Sequence, residues 1–98
     1  MTAKVLIERK FRPESLGRLL ELSLELRAMA TKQPGHICGE TLGSADHDNL
    51  HLVISTWRNL DDWKAWEQNP ERIRISKQID DLLIEPTKAR VFIELWGS

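Results

Sequence analysis

Helix and turn breakers constrain this chain more than anything else it carries. Pro13, Pro34-Gly35, the polar run SADHDN (44–49), Asn59, Asn69-Pro70 and Pro86 cut it into short apolar segments, each long enough for one helix or one strand. AKVLIER (3–9) reads as a strand. Glu14 and Ser15 then start a helix in which Leu19, Leu22, Leu26 and Met29 form the most regular apolar row, and Pro34-Gly35 forces it to stop. HICGETLG (36–43) and LHLVISTW (50–57) are strands joined by the polar turn, which makes a hairpin. Asn59 with Asp62 predicts a capped short helix over LDDWKAWE. Asn69-Pro70 restarts a helix whose stripe, Ile73, Ile79, Leu82 and Leu83, runs toward Pro86. ARVFIELW (89–96) is the last strand.

Strand, helix, strand, strand, broken helix, strand is the order of a ferredoxin-like α+β sandwich, a four-stranded antiparallel sheet with its helices on one face. The other face then needs a cover. Leu50, Leu52 and Ile54 oppose Val53 and Trp57 in the third strand, and Val91, Ile93 and Leu95 oppose Phe92 and Trp96 in the fourth, so both faces are apolar. With 98 residues the chain forms one domain, 1–98, and has no third layer to offer. A homodimer joined through the sheets is the simplest cover. Glu8, Glu40, His51, Arg90 and Glu94 are polar residues inside these strands, placed either in that interface or in a cavity.

Charge excludes several functions. The 14 basic and 15 acidic residues are interspersed and give a net charge of −1, with no block that would mark a nucleic-acid or phosphate surface. RNA-binding domains share the element order, but they stack bases on aromatics in the two central strands; here KVLIER and HLVISTW carry none before Trp57. No segment is long enough to cross a membrane. One cysteine and no targeting segment point to the cytoplasm.

Three of the four tryptophans fall in TWRNLDDWKAWE (56–67). Trp63 and Trp66 share a helix face and Trp57 ends the preceding strand, an arrangement that suits either packing of helix on sheet or the wall of a pocket for a flat ligand. His36 and Cys38 should project from one side of a strand, yet no ligand frame such as CxxC or a helical HxxxH accompanies them, and no metal is expected. Cys38, with nothing nearby to activate it, reads as buried and inert. Ser76, on the apolar side of its helix, reads as bonding back to the backbone.

The stretches IERKFRP, KQPGHICGETL, STWRNLDDWKAWEQNPER and EPTKARVFIEL resemble the antibiotic biosynthesis monooxygenase family of small dimeric α+β barrels. That resemblance implies two sheets meeting in a barrel, a pocket between sheet and helices in each subunit, and, in some members, oxidation of anthrone-type or quinol substrates by molecular oxygen with no cofactor. Other relatives degrade haem through an Asn in the first strand, a Trp and a His ten residues beyond it; Trp66 matches the Trp, but Glu8 and Ser76 stand at the other two positions. Without that imidazole the iron ligand is missing. The resemblance thus implies a planar aromatic small molecule as partner, with Trp57, Trp63, Trp66, Ser76 and Arg90 as substrate-binding residues. Glu8 or His51 would be the base and Arg90 would stabilise the substrate anion. A binding or sensor protein on the same fold, without turnover, is the alternative.

Overall fold

A computed structural model describes residues 1–97. Its elements are β1 (Ala3–Lys10), a tight 3-10 turn at Pro13–Ser15, α1 (Leu16–Ala30), β2 (His36–Gly43), β3 (Leu50–Trp57), α2 (Leu60–Glu67), α3 (Pro70–Asp80) and β4 (Lys88–Ile93). The strands form one antiparallel sheet in the order β2-β3-β1-β4, the ferredoxin-like arrangement expected.

The local signals act as their chemistry dictates. Asn59 Oδ1 accepts the Asp62 amide at 2.8 Å and Asn69 Oδ1 accepts the Glu71 amide at 2.9 Å, so each asparagine satisfies an orphan donor where a helix begins. Alternation along β1 sends Ala3, Val5, Ile7 and Arg9 toward the helices, and all four are buried. Ala3, Val5 and Ile7 pack with Trp57, Trp63 and Trp66 at one end of the helix layer. Phe11, Leu19, Leu22, Ile75, Ile79 and Leu83 fill the other end, and Leu26 and Met29 of α1 touch both groups.

Two boundaries differ from the sequence reading. The third helix stops at Asp80 rather than near Pro86, because the chain after it attaches to the end of β1: Phe11 and Leu83 form a bridge, Arg12 N–H donates to Leu82 O at 3.1 Å and Ile84 N–H to Lys10 O at 2.8 Å. Those bonds replace the next helical turn. Ile75, absent from the expected stripe, is fully buried. The last strand ends at Ile93, opposite Ala3, and is followed by one more backbone bond, from Glu94 N–H to Thr2 O at 3.0 Å. Leu95 and Trp96 therefore lie past the sheet and are largely exposed.

On the face away from the helices, Leu6, Leu52 and Ile54 are half-buried and Leu42 and Phe92 exposed, as the doubly apolar alternation requires. No helix among the described residues is long and apolar enough to cross a membrane.

Candidate functional site

A cleft lies between the inner face of the sheet and α1, with the first turns of α3 and the aromatic face of α2 closing it. Ile7 and Arg9 of β1, Val53, Ser55 and Trp57 of β3, Leu26 and Ala30 of α1, Trp63 and Trp66 of α2, Arg72 of α3 and His36 of β2 line it. Counted to its open mouth it encloses about 570 Å³. The walls are set by packing. Trp57 is completely buried, its Nε1–H donates to Ser55 Oγ at 3.1 Å, and its ring centroid lies 6.0 Å from that of Trp63 in a tilted pair. The three indoles therefore belong to the core and to the cleft wall together, and the two readings of TWRNLDDWKAWE are compatible.

A bulge decides the position of His36. Ile37 is an extra residue between His36, opposite Trp57, and Cys38, opposite Thr56. The ring of His36 meets Trp57 edge-on at 5.1 Å and lines the cleft, whereas Cys38 falls on the side of Thr56 and Ile54. The two side chains thus lie on opposite faces, not on one side as strict alternation implies, and Cys38 is exposed rather than buried. Burial, and secondarily the charge of Arg27, lowers the His36 pKa below its usual 6.5, which leaves the imidazole neutral and able to accept a proton at neutral pH.

Three arginines line the cleft; Arg27 is exposed, and Arg9 and Arg72 are its less accessible cations. Arg9 is 5 % exposed, makes no side-chain hydrogen bond or ion pair among the described residues, and leaves its Nε without a partner. Desolvation, then the neighbouring charge of Arg72, lowers its pKa to about 10, against a smaller opposing pull from Asp80. Arg72 is half-buried, with Cζ 5.0 Å from the Trp63 ring centroid and Nη1 donating weakly to Glu67 O at 3.4 Å. Desolvation lowers its pKa as well. Arg9 and Arg72 also line an adjoining cleft with Ser76, Ile79, Asp80 and Thr87, where the buried Ser76 Oγ has no hydrogen-bond partner among the described residues. The expected bond from Ser76 back to its helix is not made.

The residues marked in the sequence are only partly brought together. Trp57, Trp63 and Trp66 converge on the cleft, and Ser76 stands behind its arginines. His51 lies on the same face of the sheet but packs on Phe11, with centroids 4.5 Å apart, outside the cleft lining. Burial and then Arg9 lower its pKa. Glu8 and Arg90 are on the far side, in a shallow apolar depression with Leu6, Leu42 and Leu52, and Arg90 reaches over Phe92 at 5.9 Å. Glu8 has no ion-pair partner there among the described residues. Arg9, Arg27, Arg72 and His36 are basic cleft residues that the sequence reading did not single out for this role. For Arg9 the signal was present, since it shares the parity of Ala3, Val5 and Ile7.

Comparison with known proteins agrees with this architecture. The sequence profile described as antibiotic biosynthesis monooxygenase matches residues 2–78. No curated protein matches the chain. Among solved structures, a Nitrosomonas europaea protein ascribed to the antibiotic biosynthesis monooxygenases superposes with a TM-score of 0.90 at 14% identity, covering 99% of this chain and 93% of its own. SnoaB, a cofactor-independent oxygenase from Streptomyces nogalater, gives 0.85 at 15% identity, covering 98% and 95%. A Mycobacterium tuberculosis protein gives 0.90 at 17% identity, covering 100% and 99%. At such identities the likeness establishes the fold.

Proposed function

The chain belongs to the antibiotic biosynthesis monooxygenase family, and we propose that it is a cofactor-independent monooxygenase that oxidises a planar aromatic, anthrone- or quinol-like molecule with molecular oxygen. The observation that carries this reading is the narrow cleft walled by Trp57, Trp63 and Trp66, whose rigid indole faces suit a flat ring. SnoaB, which shares the fold, is a cofactor-independent oxygenase, so the scaffold is compatible with the chemistry.

In an anthrone-like substrate the reacting carbon lies beside aromatic rings and opposite a carbonyl. Loss of its proton to a base gives a delocalised anion, which supplies the electrons to oxygen itself. A carbon–oxygen bond forms, the resulting hydroperoxide loses water, and the CH2 group becomes a carbonyl: one oxygen atom enters the product and the other leaves as water. The protein has to accept the first proton, hold the anion and orient the ring. His36 is the base best placed in the cleft, in place of Glu8 on the far face and His51 beside Phe11. Arg9 and Arg72 supply positive charge, the role first considered for Arg90.

A homodimer completes this reading. The open face of the sheet is apolar through Leu6, Leu52, Ile54 and Phe92, and a second copy is its cover, with Glu8 and Arg90 in or beside the contact. An exposed free thiol at Cys38 suits a reducing, cytoplasmic compartment.

One observation favours binding without turnover: among the described residues Glu40 is the one carboxylate residue bordering the cleft, and its register opposite Ile54 turns its side chain to the other face of the sheet, which leaves the His36 imidazole as the base at the tryptophans. Titration with planar phenols and anthrones, followed by oxygen-electrode assays on every binder, separates the readings. Consumption of one O2 per substrate is expected. Trp66→Phe should weaken binding by about tenfold and more than Trp63→Phe does, since family resemblance puts Trp66 beside the ligand. Equal affinities in all three proteins would leave the tryptophans as packing, and binding without oxygen uptake would establish the sensor.

A further inference from the structure

A buried guanidinium without a partner is an expensive thing for a small domain to keep. Taking such an ion out of water costs several kcal/mol unless hydrogen bonds and an opposite charge compensate it. Among the described residues Arg9 has no hydrogen-bond or ion-pair partner, its Nε is buried and unpaired, and the larger charge acting on it is that of another cation, Arg72. Asp80 attracts both arginines but pairs with neither; its Oδ1 accepts the Thr87 hydroxyl at 3.3 Å. Ser76 Oγ, also unpartnered among the described residues, lies in the same adjoining cleft as the two guanidinium groups. Packing alone does not ask for this. The row Ala3, Val5, Ile7 would continue as well with an aliphatic residue at position 9.

We propose that Arg9 and Arg72, with Ser76 behind them, form an oxyanion site continuous with the tryptophan cleft, and that it selects planar aromatic ligands bearing an ionised carboxylate or phenolate. Arg9 and Arg72 border both clefts, so a ring lying along the indoles reaches the guanidinium groups with its oxygen substituent. A planar fork facing a carboxylate gives paired, charge-assisted bonds, and the anion relieves the repulsion between the two cations. Discrimination is then strong, because an uncharged ligand of equal shape leaves those donors unsatisfied. The inference rests on the reading of the cleft as a ligand site, and it does not require that the ligand be oxidised.

The test uses naphthoate and its uncharged counterpart naphthalenemethanol, titrated by quenching of tryptophan fluorescence into the wild type, Arg9→Met and Arg72→Met. The wild type should bind naphthoate at least about tenfold more tightly than the alcohol, and each variant should abolish that preference while changing affinity for the alcohol by less than about twofold. Arg9→Met should also raise the thermal midpoint of the ligand-free protein, where loss of a structural arginine would lower it. Equal wild-type affinities, or equal loss of both ligands in the variants, would overturn the proposal. So would a lowered midpoint in Arg9→Met with the charge preference intact. If Arg9→Met does not fold, Arg72→Met alone decides: a retained preference overturns the site. Failure of both ligands to bind at millimolar concentration would sink this inference together with the cleft reading, whereas charge-selective binding of substrates that never consume oxygen would sink the oxidation and leave the oxyanion site standing.

Discussion

His36 and His51 are both held below the ordinary histidine pKa, chiefly by burial, with Arg27 adding to the effect at the first and Arg9 at the second. A folded state that resists protonating these rings binds fewer protons than the unfolded chain once pH falls toward 6.5, so stability is full above about pH 6.5 and declines below it. The urea midpoint should be flat between about pH 7 and 8 and drop steadily toward about pH 5.5, and His36→Asn should reduce the drop. A midpoint that rose on acidification would contradict the burial of both rings. The same residues show what was legible at this scale. Parity along β1 places Arg9 inside from sequence alone, and helical spacing puts Arg72, Ile75 and Ile79 on one face. His36 was hidden, because a bulge at Ile37 breaks the alternation from which its side would be read, and nothing in HICG marks one.

Gly35 ties two elements together. It has φ of +83°, and a Cβ there would run into the carboxylate of Asp62. Asp62 in turn is held by Arg58, through Nε at 2.9 Å and Nη2 at 2.8 Å, while the Arg58 amide donates to Gly35 O at 2.7 Å. The turn before β2 and the start of α2 are thus locked at one point, next to the cleft wall. Gly35→Ala should cost about 1–3 kcal/mol, from backbone strain and displacement of Asp62. Gly17→Ala in α1, where a Cβ meets nothing within 4 Å, should stabilise by about 0.5–1 kcal/mol, and urea midpoints of the two variants would show the opposite signs. Local signals of this kind made most elements readable: both asparagine caps, the Pro-Gly turn and the hairpin stand where expected. Element ends were not readable where tertiary bonds set them. Leu82 and Leu83 continue a helical stripe yet bond to the end of β1, and Leu95 and Trp96 continue a strand pattern past the last ladder bond, from Glu94 N–H to Thr2 O.

For the whole molecule, the apolar alternation on both sides of β3 and β4 carried the most information, since it called for a cover that the chain does not contain. The expected assembly is a homodimer, and light scattering at micromolar concentration should give twice the mass of 11.3 kDa. Its thermal midpoint should rise with protein concentration. Leu52→Glu, at the centre of the open face, should prevent folding instead of yielding a stable monomer; a folded monomeric variant would show that each subunit holds itself together. What the sequence could not specify was which polar residues share a compartment with the tryptophans, because that depends on register and bulges across three strands.

All six residues of β4 are exposed in the single subunit, and this strand forms one margin of the sheet. Its free amides and carbonyls, beside the uncovered face, would template pairing with any extended chain that met them. With the proposed homodimer as its end state, a newly made copy would mature in two stages, one governed by its own collapse and one by how soon it encounters its twin. The second stage is bimolecular, so slow synthesis lengthens the interval in which the strand can be captured by the wrong neighbour, and synthesis of two copies close together on one message shortens it.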